Sequence, residues 1–411
     1  MNSGLVLVVF LPAISGLVSS CFGFLLGVQG VVLLTTASLL TVAFSSYYYF
    51  YTVALTETLV VVPLFNWIFS GMVEVDVSLY FDALAFSIIL LIGTVSTLVY
   101  IYAVSYLAAD PHFIRFSSYI SFFAFAMLIL VTSNNFVQLF FGWELVGLIS
   151  YLLIGFWYTR LEANKSALKA VFFNKVGDLG FLFALMLTYS QVQGVDFSTL
   201  SALLNSDAQL ELDTSILSLI GLFFFVAAVG KSAQLGLHPW LPDAMQGPTP
   251  VSSLLHAASM VTVGVFLILR LSFLFENLPD VLMVIAFLGS LTAFFAATTG
   301  AVQNDIKATI AYSTASQLGY MVASCGLSNY NVALFHLITH GFFKALLFLS
   351  AGAIIHGLAD EQDIRKMGSL AQVLPVSYAC ILIGSLSLMG FPFLSGFFFK
   401  GRNSRDCCCE L

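Results

Sequence analysis

Residues 215–267 read SILSLIGLFFFVAAVGKSAQLGLHPWLPDAMQGPTPVSSLLHAASMVTVGVFL, and this stretch decides the fold. An apolar run long enough to cross a bilayer leads into Lys231, then meets Pro239, Pro242, Pro248 and Pro250 before a second apolar run begins. Proline removes a backbone donor and clashes with the preceding turn. In lipid such a break is tolerated only where the freed carbonyls face protein or water. A lysine beside a broken apolar helix therefore predicts an all-α polytopic membrane protein with a hydrated path, built as transporters build theirs from discontinuous helices.

Composition agrees. The chain has 411 residues, 60% hydrophobic and 9% charged, with a formal net charge of −7 and a mean hydropathy of +1.00. Soluble domains carry about 25% charged residues, so a soluble globule is excluded, and collagen, disorder and a disulfide scaffold with it. Outer-membrane barrels alternate in shorter segments and fit badly. No basic stripe suits nucleic acid. The cysteines are Cys21, Cys325, Cys380 and the run Cys407–Cys409. Three adjacent cysteines cannot wrap one metal with ordinary geometry. The start MNSGLVLVVFLPAISG lacks a positive n-region and reads as a first span rather than a cleaved signal.

Cuts at polar and Pro/Gly clusters predict about twelve spans, near 4–20, 28–51, 79–106, 114–132, 136–157, 168–190, 215–236, 251–275, 281–302, 308–326, 331–355 and 375–399. The seventh and twelfth read as broken, the twelfth by Gly390-Phe391-Pro392. Odd-numbered loops and their flanks carry Arg115, Arg160, Lys165, Lys169, Lys307, Arg365 and Lys366. Even-numbered loops carry Glu57, Glu74, Asp76, Asp196, Asp207, Glu211, Asp213, Glu276 and Asp280, with Arg270 the one basic residue, at a helix end. The positive-inside rule then places the odd loops on the matrix or cytoplasmic side and the amino terminus on the other.

The informative residues are the ionisable ones inside spans, each costing about 2.5–3.5 kcal/mol at the bilayer centre. Glu144 in FFGWELVGLISYLL and Lys231 would stabilise each other's charge in neighbouring helices, either as a structural ion pair or as a functional one. His336, His340 and Lys344 recur at i, i+4, i+8 and share one helix face. Histidine titrates near neutral pH and lysine does so when buried, so the row is a candidate proton relay. A zinc site there would lack an acidic or thiolate ligand. His256 reads equally as a core residue or as a neighbour of Lys231. Lys175 and Asp178 form an i,i+3 pair, either a surface salt bridge or functional. Asp305 reads as a cap before Lys307. Lys400 either snorkels to the interface or serves the second broken helix.

These residues carry a resemblance. The stretches DPHFIRF, NNFVQLFFGWELVGLISYLLIGFWYTR, KAVFFNKVGDLGF, KSAQLGLHPWLPDAMQGPTPVSSLLHAASMVTVGVFL, NDIKATIAYSTASQLGYM and HLITHGFFKALLFLSAGAIIH resemble the subunit 5 family of mitochondrial respiratory NADH:ubiquinone oxidoreductase (complex I). These antiporter-like subunits are related to the large subunits of multisubunit Na⁺/H⁺ antiporters. The resemblance covers about residues 1 to 400 and implies two inverted five-helix repeats, spans 4–8 and 9–13, after three amino-terminal spans. The expected divisions are 1–113, 114–275, an incomplete second repeat over 276–400, and a polar tail over 401–411.

The resemblance also implies roles. Glu144 and Lys231 match the buried glutamate and broken-helix lysine of a first half-channel, and His256 a bridging position. His336, His340 and Lys344 match the central hydrophilic axis. Lys400 matches the lysine of the second broken helix near the exit, and Asp178 a loosely assigned acidic position. Proton translocation is implied, with no cofactor in this chain and no redox chemistry of its own. The implied partners are other membrane-arm subunits, especially the adjacent antiporter-like subunit (subunit 4), together with membrane lipids and no nucleic acid. The implied location is the mitochondrial inner membrane, with the amino terminus on the intermembrane-space side. Two departures stand out: Leu145 replaces the usual glycine after the buried glutamate, and GRNSRDCCCEL stands where an acidic residue and further helices usually follow. The expectation is that a second chain supplies those helices, the alternative being that the lateral arm is dispensable here. The competing readings are a structural subunit with an inactive channel and a stand-alone antiporter subunit.

Overall fold

In the computed structural model, which describes residues 2–56, 58–71, 73–204, 213–257 and 259–398, helices follow the apolar runs. By compactness the chain divides into two units, Met1–Phe156 with Phe181–Ile220, and Trp157–Gly180 with Gly221–Leu411.

The first unit opens with α1 (Asn2–Tyr49), whose helical geometry fails at Gly27, φ 65° and ψ 175°. That backbone region is essentially reserved for glycine. Ser38 Oγ donates to Ser15 Oγ at 3.0 Å, although 23 residues would separate them by about 35 Å along a straight helix. Gly4 lies against the Tyr49 hydroxyl. The chain therefore folds back at Gly27, and the two arms carry the expected spans 4–20 and 28–51.

After a π-helical turn (Phe50–Ala54) come β1 (Val60–Ser70) and β2 (Val73–Phe81), an antiparallel hairpin turning at Gly71, φ 60°. This hairpin fills the connection expected between the spans 28–51 and 79–106 and overlaps the start of the latter. Val73, Val75, Val77 and Leu79 alternate with Glu74, Asp76 and Ser78, the period-two pattern of a strand. The third expected span accordingly starts later, at Asp82, whose carboxylate accepts from the Ala85 amide at 2.8 Å and caps α2 (Ala83–Tyr106). The helices α3 (Phe113–Val131) and α4 (Phe136–Ile154) follow. Their connection pins the hairpin: the Tyr80 amide donates to Thr132 O at 2.8 Å, and Asn135 Nδ2 donates to Asp76 O at 2.7 Å. The first unit also takes the later part of α5 (Leu161–Val192), α6 (Phe197–Leu204) and the start of α7 (Thr214–Lys231), the remainder of α5 and α7 belonging to the second.

The second unit holds the broken segment. Beyond Lys231 the chain unwinds through Ala233 (φ 48°) and Gly236 (φ 100°) into α8 (Trp240–Asp243). There follow α9 (Thr249–Ala257), α10 (Thr262–Arg270) and α11 (Ser272–Phe275). The expected eighth span is thus interrupted. Ser259 Oγ donates to Leu254 O at 2.5 Å and Thr262 Oγ1 to Ser259 O at 2.7 Å, so side-chain hydroxyls compete for carbonyls there. Then come α12 (Pro279–Ala301), α13 (Ile306–Gly326), α14 (Tyr330–Gly357), α15 (Leu370–Val373) and α16 (Pro375–Met389). After α16 the chain turns at Gly390 (φ 85°) and Phe393 (φ 69°), the expected second break.

Among the described residues, nine helices are long and apolar enough to span a bilayer, with α9 and α10 counted together as the one run Thr249–Arg270. Three circumstances separate that number from the expected twelve. The arms of α1 form one continuous run, α13 is rich in Ser, Thr and Tyr, and α16 ends early at the break. The chain is a multi-pass, mostly helical membrane protein.

Candidate functional site

The end of α7 is held open by an organised set of polar contacts. The Ser232 amide donates to Ala228 O at 2.9 Å and the Gln234 amide to Val229 O at 3.0 Å. Trp240 Nε1 donates to Gly230 O at 3.1 Å, and Gln234 Nε2 to Ser232 O at 3.2 Å. The helix-end carbonyls thus find protein donors, as a break at membrane depth requires. From α12, Thr292 Oγ1 donates to Gln234 Oε1 at 2.6 Å and braces the unwound turn. Lys231, 1% exposed, sits at the last helical position of α7. A small cleft at the unwound turn that follows is lined by residues including Ala233, His238, Pro242, Thr292, Phe295 and Tyr312. An ion pair between Lys169 on α5 and Asp243 on α8 ties down the far end of the break.

The second group lies on α14. His336, His340 and Lys344 are fully buried, and the two imidazoles stand with centroids 6.2 Å apart. Lys344 Nζ donates to Ser313 Oγ on α13 at 2.7 Å and to Ile310 O at 3.3 Å. From α9, which packs on α14, His256 lies against Phe348 with centroids 5.5 Å apart. It is within electrostatic reach of Lys344, and His340 within reach of Lys344, His336 and His256. The structure therefore gathers His256, His336, His340 and Lys344 into one buried cluster. Neither ring nitrogen of His256 or His340 has a hydrogen-bond partner among the described residues.

The remaining candidates fall elsewhere. Asp178, 4% exposed, pairs at 3.5 Å with the half-exposed Lys175 on the same helix. Glu144 is half-buried on α4 and belongs to the first unit. Lys400 and the Cys407–Cys409 run lie outside the described residues. Asp305 caps α13 as expected, its carboxylate accepting from the Lys307 amide at 2.9 Å. Lys307 itself, read from sequence as a helix start, is buried and reaches Gly247 O at 3.5 Å. Its one signal in the sequence was a cation in a first helical turn, where the macrodipole disfavours it. No group of three or more histidine, cysteine or acidic side chains is placed to hold a metal among the described residues.

The family described as "NADH:quinone oxidoreductase/Mrp antiporter, TM" matches residues 133–402, and "NADH-Ubiquinone oxidoreductase (complex I), chain 5 N-terminus" matches residues 67–117. The chain is 52% identical to NADH-ubiquinone oxidoreductase chain 5 of Marchantia polymorpha, across 98% of this chain and 61% of that one. With the protein of the same name from Metridium senile it shares 53% identity, across 99% and 66%. It spans about three fifths of the length of the curated relatives it matches. A chain of the Mrp complex from Dietzia sp. DQ12-45-1b superposes with a TM-score of 0.85 at 27% identity, over 98% of this chain and 43% of that one. A chain of an archaeal membrane-bound sulfane sulfur reductase superposes equally well, TM-score 0.85, over 99% and 82%. At 20% identity that second likeness concerns the fold alone.

Proposed function

The chain belongs to the NADH:quinone oxidoreductase/Mrp antiporter family, and from that membership we propose that it is a proton-translocating, antiporter-like membrane subunit of a respiratory NADH:ubiquinone oxidoreductase. In this reading it works in the mitochondrial inner membrane beside other membrane-arm subunits, the adjacent antiporter-like subunit (subunit 4) first among them. Electron transfer occurs in other subunits of the complex.

The observation that carries the reading is the buried cluster of His256, His336, His340 and Lys344. Four titratable side chains at membrane depth are costly, and a purely structural core would use apolar groups there. Buried polar nitrogens without protein partners are normally satisfied by bridging water, which is the medium of a proton relay. Lys231, buried at the last helical position before the break, serves as the loading group. Glu144 enters as the acidic group of the first unit, Asp178 as a minor inner-side acid, and Lys400 as the exit group.

Moving one charge against about 150–200 mV costs ~3.5–4.6 kcal/mol. At about 1.36 kcal/mol per pK unit, a swing of about three units in a buried lysine carries one proton uphill. Burial and a moving charge can produce a swing of that size. The test is proton output per NADH from the complex reconstituted in sealed vesicles. Lys231→Ala, Glu144→Gln and Lys344→Ala are each expected to lower it. Normal stoichiometry together with normal coupled turnover in all three would refute the scheme. The likeness to the Mrp complex chain favours a second reading, a cation/proton antiporter subunit, and sodium-dependent proton movement without NADH would support that one instead.

A further inference from the structure

We propose that Ser313 is a positioning residue for Lys344, a hydroxyl that holds the lysine in place in both of its protonation states; this rests on the proton-relay reading above. Lys344 is fully buried, and its ammonium donates to Ser313 Oγ at 2.7 Å and to Ile310 O at 3.3 Å. Ser313 comes from α13, so the contact joins two helices and is not a local feature of α14. The Ser313 side chain is i+3 from Ile310, whose carbonyl also lies within hydrogen-bond distance of the hydroxyl, at 2.8 Å.

The chemistry of the hydroxyl is the point. A carboxylate only accepts, so it would fix Lys344 as the cation and oppose release of its proton. A backbone carbonyl likewise only accepts and leaves a neutral amine without a donor. A serine hydroxyl both accepts and donates, and its proton rotates to suit. With Lys344 charged, the ammonium donates to Ser313 Oγ and the hydroxyl proton goes to Ile310 O. When Lys344 gives one proton to the next base of the relay, one N–H bond breaks and the amine gains a lone pair. Ser313 then turns its O–H from Ile310 O to that nitrogen. Serine keeps its own proton throughout, so one proton moves and the ledger balances. The lysine stays at the same place in both states, and the geometry of the relay survives each transfer.

The titratable groups near Lys344 include His340 and His336 on its own helix, which also carries Tyr330 and His356, and His256 on α9. The other helices packed on α14 carry Lys307, Tyr312, Tyr320 and Cys325 on α13, Arg270 on α10, and Tyr378 and Cys380 on α16. Among the described residues none of those helices carries an acid, and Ser313 offers Lys344 a neutral partner that both accepts and donates, as a titrating lysine requires.

The experiment measures proton output per NADH against pH in vesicles holding the whole complex, with Lys344→Ala alongside. Ser313→Ala is expected to move the pH profile of pumping by about one unit, a tenfold change in the protonation equilibrium, and Ser313→Thr to restore the parent profile. Ser313→Asp, which supplies a fixed acceptor, is expected to lower output at pH 7 at least as much as Ser313→Ala does. Should the alanine variant fail to assemble, Ser313→Cys carries the same comparison, since a thiol donates and accepts only weakly. A parent-like profile in the alanine (or cysteine) and aspartate variants, with Lys344→Ala impaired, overturns the proposal alone. Unimpaired pumping by Lys344→Ala removes the relay reading and this proposal with it.

Discussion

Asp196 and Asp363 are loop carboxylates perturbed in opposite senses, and their pH signatures differ accordingly. The Asp196 carboxyl is held above the ordinary carboxylate range, chiefly by burial and then by the like charge of Asp76. The folded chain binds that proton more tightly than the unfolded one. Its contribution therefore favours the folded state at low pH and falls away as pH rises from about 3.9 through the raised value. Asp196→Asn keeps the backbone bridge to Asn135 and removes the titration. The variant is expected to melt at a higher temperature than the parent at pH 7, with the difference closing as pH is lowered towards 4; a constant difference would refute this. Asp363 is pulled down to about 2, chiefly by its side-chain hydrogen bonds from Arg365, Nη2 to Oδ2 at 2.7 Å. Its contribution is present above about 3.9 and lost as pH falls towards the depressed value. Asp363→Asn is thus expected to flatten the acid limb of a melting-temperature profile and leave the slope near pH 7 untouched.

At the scale of elements, close backbone approach decides which helices can sit together. A Cβ on Gly319 of α13 would stand 2.6 Å from the Ala293 amide nitrogen and 2.6 Å from Thr292 Oγ1 of α12. A Cβ on Gly289 of α12 would stand 2.5 Å from the Ala323 amide nitrogen. Backbone atoms cannot step aside as a side chain can, so Gly319→Ala is expected to cost about 1–3 kcal/mol by overpacking. It would also disturb the Thr292–Gln234 hydrogen bond that braces the break after Lys231. Gly368→Ala, with nothing within 4 Å, is the control. Thermal unfolding of the two variants checks this, and equal midpoints would refute it. The same scale shows what a sequence can declare. The breaks after Lys231 and at Gly390 were legible because proline and glycine announce them locally. The interruption between α9 and α10 was not, since the residues that mark it, Ser259 and Thr262, are of types that sit in unbroken helices too. The β1–β2 hairpin went unread in the connection after residue 51 because β1 is almost wholly apolar and shows no alternation, and only Glu74, Asp76 and Ser78 mark it in β2. The row of His336, His340 and Lys344 was legible through helical spacing. Ser313 was not, because one hydroxyl among many in α13 carries no mark until the fold brings it to Lys344.

At the scale of the whole molecule, the distribution of loop charge can be tied to geometry inside the second unit. The 23 residues of α12 make a rod of about 35 Å at 1.5 Å per residue, enough to cross a hydrocarbon core of about 30 Å. At its start stand the exposed Glu276 and Asp280. At its end the chain passes through Asp305, which bridges to Asp363, and the Ile364 amide donates to Asn304 O at 2.9 Å. That joins the end of α12 to the loop bearing Arg365 and Lys366. One end of this helix thus bears only acids, while the other bears Lys307, Arg365 and Lys366 among its acids. The positive-inside rule, which counts Lys and Arg and is not a net-charge rule, predicts that this second end faces the matrix if the function proposed above holds. Single cysteines placed at Asp280 and at Lys366, in a background with Cys21 replaced, test this with a membrane-impermeant maleimide. In sealed mitoplasts, position 280 is expected to react and position 366 to react only after permeabilisation. The reverse pattern would invert the orientation of the unit. Reaction at both sites before permeabilisation would mean that α12 does not cross the bilayer, and the loop-charge argument would then lose its footing for every other span.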